Sequence, residues 1–170
     1  MQVVVVGGGI SGLLTAIQLV KAGIACCVIE KKNYPFHRVC GEYISNETVP
    51  FLKSCNLFPE NYHPPKIQRF QLSSVGGKSK ILPLDLGGFG ISRYSFDYFL
   101  YEKAHALGVI FYLREEVEKI TFSDENFFIK TQHRELIADI VVGAFGKRSK
   151  IDIQLNRSFT QKRSPYVGVK

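Results

Sequence analysis

The chain has 170 residues, 45% of them hydrophobic and 22% charged, the balance of a soluble globular protein with one sizeable core. Four cysteines (Cys26, Cys27, Cys40, Cys55) show no metal-ligand spacing, and no metal site is expected. The net charge of +7 gathers at the end, where Lys147, Arg148, Lys150, Arg157, Lys162, Arg163 and Lys170 face Asp152 alone. An anionic partner is one reading of that cluster; a solvated surface is the reading adopted, since no aromatic-interleaved basic stripe points to nucleic acid.

Residues 3–20 are uncharged, but their glycines, Ser11, Thr15 and Gln18, and the missing basic n-region, argue against a membrane span or a signal peptide. A cytoplasmic protein is expected. Val3–Val6 is a β-branched run suited to a parallel strand buried on both faces. Gly7, Gly9 and Gly12 then set out G-x-G-x-x-G, followed by Ala16, Gly23 and Glu30 in the register of a dinucleotide-binding βαβ unit. Gly7 turns the chain off the strand, Gly9 lets the backbone approach a pyrophosphate, and Gly12 brings helix close to strand. A helix starting near Ile10 and Ser11 aims its N–H groups at the phosphates, with Leu13, Leu14, Ile17 and Val20 as its core face.

Ile24–Ile29 is the second strand, in which Cys26 and Cys27 point to opposite faces as buried thiols. Glu30 at its end can accept both ribose hydroxyls and would repel a 2′-phosphate, so the site reads as one for FAD or NAD rather than NADP. The alternative is an ordinary βαβ unit with no ligand, which does not require Glu30.

A polar loop, Lys31–Arg38, leads to Cys40-Gly41-Glu42 and a helix from about Asn46 to Cys55, capped by Ser45 or Asn46. Residues 66–92 read as strands with turns at Gly76-Gly77 and Gly87-Gly88. A helix over Ser95–Leu107, capped by Ser95 with Asp97 in its first turn, precedes a strand at Val109–Leu113. The aromatic run from Tyr94 to Tyr101 reads as helix core. Two strands pair around Asp124-Glu125-Asn126, and a last strand, Ala138–Val142, runs into Gly143-Ala144-Phe145-Gly146. His63, His105 and His133 are scattered and suggest neither metal nor triad. The fold class is α/β, a Rossmann-type fold with a parallel sheet and the inserted β-strands of a second domain. Residues 1–62 and 93–157 form the nucleotide-binding domain and 63–92 the insertion. Residues 158–170 begin a further part.

Three segments carry a broader resemblance: residues 3–30, Tyr34-Pro35 through Cys40-Gly41-Glu42, and Arg93 followed by Phe96-Asp97-Tyr98-Phe99-Leu100. Together the chain resembles the amino-terminal part of the FAD-dependent oxidoreductases that include geranylgeranyl reductases, para-hydroxybenzoate hydroxylase-type monooxygenases and flavin-dependent halogenases. A fourth segment, Ala138-Asp139 to Ser149, keeps the family frame but has Phe145 where an aspartate that holds the ribityl chain is usual. This departure puts ribityl contacts and hydroxylase-type use of NADPH in doubt.

The resemblance implies FAD as cofactor, with NADH or NADPH as electron donor and a small-molecule or lipid-like organic substrate. It implies cofactor contacts from Gly7, Gly9, Ile10, Ser11, Gly12, Glu30, Lys31, Cys40, Gly41 and Gly146. Arg38 and Arg93 are the candidates for the pyrophosphate, because a guanidinium fork suits phosphate; the alternative for each is a surface ion pair. Cys40 would lie near the flavin ring, as a group tuning the flavin or shaping the substrate pocket, its thiolate favoured by Arg38 and His37. The alternative is a small loop residue without chemistry. Glu42 either orients this loop or is solvated.

The implied function is an FAD-dependent oxidoreductase of geranylgeranyl-reductase type. A monooxygenase or halogenase is one alternative, and a non-catalytic dinucleotide-binding half or subunit another. The family's later Gly-Asp motif and most of its substrate sheet are absent, so the chain reads as an amino-terminal half. Residues 164–170 would be the return into that sheet. Contact with a missing carboxy-terminal half, or self-association, is then expected, with membrane-surface contact only if the substrate is a prenyl lipid.

Overall fold

In the computed structural model, residues 1–146 and 149–161 are described. Lys147, Arg148, Lys162, Arg163 and Lys170 of the basic cluster, and the expected return at 164–170, lie outside them. In chain order the elements are β1 (Val3–Val6), α1 (Ile10–Lys21), β2 (Cys26–Glu30), β3 (Tyr43–Ser45), α2 (Val49–Ser54), β4 (Lys66–Ser73) and β5 (Ser79–Gly90). Then follow α3 (Arg93–Ala106), β6 (Ile110–Leu113), β7 (Val117–Ser123), β8 (Asn126–Thr131), β9 (Glu135–Ala138), β10 (Ile140–Gly143) and α4 (Lys150–Gln154). They fold as two units, residues 1–36 with 100–170, and residues 37–99.

The first unit is built on a parallel four-stranded sheet in the order β10-β1-β2-β6. Every residue of β1 and β2 is buried, as their continuous apolar runs require. Alternation divides them between the two faces. Val4, Val6, Cys27 and Ile29 share a core cluster with Ile120, Ile129, Ala138 and Ile151, from the antiparallel sheet β7-β8-β9 and from α4. On the opposite side the Cys26 thiol meets the Ala16 carbonyl of α1 at 3.7 Å. The two cysteines do point to opposite faces. Of the α1 positions expected in the core, Leu13 and Ile17 are buried, but Leu14 and Val20 are only half-buried. Gly12 and Ala16 take their place, because a helix this close to the sheet packs on its smallest side chains.

The β7–β8 hairpin turns at Asp124 and Glu125, both at positive φ (49° and 60°), the left-handed pair that suits strand twist. The last strand is not continuous over Ala138–Val142. Ala138 ends β9 in the antiparallel sheet, Asp139 intervenes, and β10 begins at Ile140 in the parallel sheet. The break is held by the Asp139 carboxylate, which accepts the Gln2 N–H at 2.5 Å, while the Asp139 N–H donates to the Gln2 carbonyl at 3.0 Å. Buried Glu115 accepts from the Thr131 hydroxyl at 2.5 Å and from Arg134 Nε at 2.9 Å, tying the hairpin sheet to the end of β6.

In the second unit β3, β5 and β4 form an antiparallel sheet in that order. Gly76-Gly77 makes the expected turn, with Gly77 at φ +79°. Gly87-Gly88 does not turn the chain. Ile67 pairs with Gly88 and Arg69 with Pro83, so residues 84–87 bulge out opposite Gln68, with Gly87 at φ +60°. A Cβ on Gly88 would run into the Tyr43 ring, so this glycine permits close approach of β3, a strand that no local pattern in the sequence marks. Ser45 stands at the N-cap of a 3-10 turn, Asn46–Thr48, that leads into α2, but its side chain makes no capping hydrogen bond; the amide of Asn46 donates to the Leu86 carbonyl at 2.9 Å. The helix α3 starts at Arg93, two residues early. Its cap is Ser92, whose hydroxyl oxygen accepts the Ser95 N–H at 3.1 Å, not Ser95 itself. No helix among the described residues is long and apolar enough to cross a membrane.

Burial pushes the Cys27 thiol up to about 11, with its neighbour Cys26 adding to the shift. The folded thiol thus keeps its proton where an unfolded one, near 8.5, has lost it. Its stabilising contribution is complete below about pH 8.5 and is lost as pH rises toward 11. At pH 8, iodoacetamide should label Cys27 on the order of a hundredfold more slowly in the folded chain than in the chain unfolded by urea, since thiolate drops tenfold per pKa unit. Peptide mass spectrometry reads the site, and equal rates in the two states would contradict the burial.

Candidate cofactor site

Gly7, Gly9, Ile10, Ser11, Gly12 and Glu30 come together where β1 and β2 end and α1 begins. Gly7 has φ +104°, and a Cβ there would meet the Ala144 carbonyl oxygen, so only glycine turns the chain here. At Gly12 a Cβ would meet the Gly7 carbonyl oxygen and lie 3.2 Å from the Ala144 Cβ. Gly9 is the N-cap of α1, in extended conformation, and no side chain caps the helix. The first turn also lacks an acidic residue. A helix start without an acid or a capping oxygen presents partial positive charge and N–H donors, which suits an anion such as a pyrophosphate.

Glu30 is 4% exposed. Its Oε2 accepts the Gly8 N–H at 2.8 Å and its Oε1 the Lys32 N–H at 3.1 Å. The turn before α1 and the acid at the end of β2 are therefore one bonded assembly. Lys31 points elsewhere, its Nζ 3.6 Å from Glu116 in an exposed ion pair. Gly146 follows β10 at φ +78°, with open space around it. Phe145 packs against the Val4–Val6 core cluster, and its ring lies 2.9 Å from where a Gly143 Cβ would be. It serves as a core residue.

Arg38, Cys40 and Arg93 meet in the second unit, around Asp97. Asp97 is 1% exposed. It takes a two-pronged contact from Arg93, Nε at 2.6 Å and a terminal nitrogen at 2.8 Å, and Arg38 Nε lies 3.4 Å away. Burial disfavours the charge on Arg93, but the bonds to Asp97, with a smaller contribution from the Cys40 sulfur, more than offset it and raise its pKa. The Cys40 sulfur also accepts the Glu42 N–H at 3.4 Å. Nothing lies within 4 Å of where a Gly41 Cβ would be. His37 stacks on Tyr94 at 4.6 Å between ring centres.

Sequence reasoning missed two residues here, Gly8 and Tyr34. The Tyr34 hydroxyl donates to the Gly8 carbonyl, in front of a cis Tyr34-Pro35 bond. The middle glycine of the Gly7-Gly8-Gly9 run, which the G-x-G-x-x-G pattern does not require, is the available signal.

The family described as an FAD binding domain matches residues 1–168. An uncharacterized protein of Methanosarcina barkeri (strain Fusaro / DSM 804) is 28% identical over 167 residues, 93% of this chain and 39% of that protein. A flavoprotein/dehydrogenase from Cytophaga hutchinsonii superposes with a TM-score of 0.80 at 19% identity, over 98% of this chain and 44% of its own. The flavin-dependent halogenase CmlS gives 0.79 at 20% identity, over 91% and 31%. The p-nitrophenol 4-monooxygenase PnpA from Pseudomonas putida DLL-E4 gives 0.79 at 23%, over 90% and 42%. These solved structures share the α/β fold. The chain spans 39% of the curated relative it matches and 31% to 44% of these solved chains.

Proposed function

The chain belongs to the FAD binding domain family, and from that premise we propose that it serves an FAD-dependent oxidoreductase by holding the adenosine and pyrophosphate end of the cofactor. The observation that carries this reading is the bonded assembly of buried Glu30, the Gly7–Gly9 turn and the uncapped start of α1. In it the ribose hydroxyls donate to Glu30, and the N–H groups of Ile10, Ser11 and Gly12 face the pyrophosphate. Bound FAD supplies the electron-transfer chemistry; the protein binds, orients and sets the electrostatics.

The proposal extends to the remaining contacts. Arg38 and Arg93 are assigned to the pyrophosphate, with Asp97 fixing the direction of both guanidinium groups, and Cys40 and Gly41 to the cofactor near the flavin ring. Gly146 is assigned to the turn after β10. A nicotinamide donor, NADH or NADPH, and an organic substrate are proposed on the family resemblance, and the Tyr34-Pro35 to Cys40-Gly41 loop supports chemistry of the reductase type. A monooxygenase or halogenase is the second reading, favoured by the likeness to PnpA and CmlS. Oxygen uptake in step with product would select it, whereas product formation without oxygen would select the reductase.

The test of the site is an FAD titration by calorimetry with Glu30→Gln beside the unaltered chain. Charged hydrogen bonds of this kind are worth about 1.5–3 kcal/mol, so FAD should bind about tenfold to a hundredfold more weakly. FMN, which lacks the adenosine, should be indifferent to the change. Unchanged FAD affinity in Glu30→Gln, or no FAD binding at all, would overturn the assignment.

A further inference from the structure

Tyr34 is an aromatic residue buried to 7% exposure at the back of the glycine turn. Its ring stacks on Tyr101 at 4.4 Å and 16°, and meets Phe111 edge-on at 6.3 Å. These neighbours, from the carboxy-terminal half of α3 and from β6, fix the ring, so the hydroxyl has a set position. That position is occupied space for the glycine turn. A Cβ on Gly8 would run into the Tyr34 oxygen, with the Glu30 Cβ at 3.0 Å and the Tyr34 Cζ at 3.2 Å. Gly8 therefore bonds on both sides: its carbonyl accepts from Tyr34, and its N–H donates to Glu30.

We propose that Tyr34 is a positioning residue for the adenosine end of the site. Its hydroxyl holds the Gly7–Gly9 turn and, through Gly8, the Glu30 carboxylate in the register that receives a ribose with a free 2′-hydroxyl. Gly8 is glycine to admit that hydroxyl, not to admit the cofactor. The inference rests on the reading of this site as one for an adenine dinucleotide. Three residues spaced across the loop act as one unit: the acid that selects the ribose, the peptide that turns toward the phosphates, and the phenol that locks the peptide.

The coupling has a signature that a merely structural role lacks. Tyr34→Phe keeps the stacked ring and deletes only the oxygen. In that background the severest obstacle is gone, and the next contacts of an alanine Cβ at position 8, Glu30 Cβ at 3.0 Å and the Tyr34 Cζ at 3.2 Å, require shifts of only a few tenths of an ångström. Calorimetry with ADP and 2′-deoxy-ADP on the unaltered chain, Tyr34→Phe, Gly8→Ala and the double variant reads it, with thermal unfolding of each. Tyr34→Phe should weaken ADP about fivefold and reduce the preference for ADP over 2′-deoxy-ADP. Gly8→Ala should weaken ADP more than about tenfold. The double variant should bind ADP more tightly than Gly8→Ala alone, an effect of opposite sign to the single change. A double variant no better than Gly8→Ala, or a Tyr34→Phe chain with affinity and preference intact, overturns the proposal while leaving the Glu30 site standing. If Gly8→Ala does not fold, the Tyr34→Phe comparison decides alone. Failure of the unaltered chain to bind ADP would remove both readings together.

Discussion

Gly12→Ala is expected to lower the stability of the chain and to abolish tight binding of FAD, although alanine is the better helix former. The opposing magnitudes decide the sign. Within a helix, glycine costs roughly 0.5–1 kcal/mol against alanine, so the substitution gains that much. Against it, the new Cβ would meet the Gly7 carbonyl oxygen, with the Gly7 carbonyl carbon at 3.1 Å and the Ala144 Cβ at 3.2 Å. The first two are backbone atoms of the turn off β1, not the far end of a flexible side chain. Overpacking costs about 1–3 kcal/mol, and a backbone obstacle sits at or above the upper end of that range. The net loss is then about 2 kcal/mol, or roughly 4–8 °C in Tm for a chain of this length. The helix can escape only by lifting from the sheet, and its N–H groups would lift with it. Gly23→Ala is the comparator: φ is +78° there, but nothing lies within 4 Å, so it carries backbone strain without a clash. Thermal unfolding and FAD titration of both variants check this. A Gly12→Ala chain at least as stable as the parent, with its FAD affinity kept, would show that the close approach is not what requires glycine.

The elements legible in the sequence were those whose causes are local. β1 announces itself by four valines, and α1 by the glycine register before it. The hairpin at Asp124-Glu125-Asn126 is legible because aspartate and asparagine are turn residues, and Asp124 is one of the residue types that tolerate positive φ. The α/β class followed from these alone. What was not legible depended on partners distant in the chain. β3 is a strand only because Gly88 lets β5 come close. Gly87-Gly88 has the composition of a turn, but its pairing with Ile67 makes it a bulge in one long strand. The division of β9 from β10 follows from Asp139 gripping Gln2, far off in sequence.

The same distinction holds at the site. The glycines and Glu30 could be placed because their spacing in the chain is their geometry in the fold. The arginines could be named but not their partner. Asp97 had the appearance of an ordinary first-turn acid until Arg93 and Arg38 were found on it. Tyr34 belonged to no spacing rule, since its role comes from a ring fixed by α3 and β6.

Asp97→Ala is expected to be among the costliest single substitutions in residues 37–99. The carboxylate is 1% exposed and bonded to Arg93 by two nitrogens, at 2.6 and 2.8 Å, with Arg38 Nε at 3.4 Å. An arginine cannot neutralise itself by losing a proton, so removing the acid strands partly buried positive charge. Breaking a buried pair in this way costs about 3–5 kcal/mol, far above the 0–1 kcal/mol of an exposed one. Removing both charges is cheaper than removing one, so Arg93→Met with Asp97→Leu should recover part of the loss. The loop of Cys40 supplies a local readout, because the Cys40 sulfur lies near enough to Arg93 to contribute to its raised pKa. In Asp97→Ala the released arginine no longer stays beside that sulfur, and alkylation of Cys40 should accelerate relative to Cys55. A loss under about 1 kcal/mol with an unchanged labelling ratio would mean that Asp97 clamps nothing. It would also return Arg38 and Arg93 to the surface pairs that are the plainest reading of the sequence.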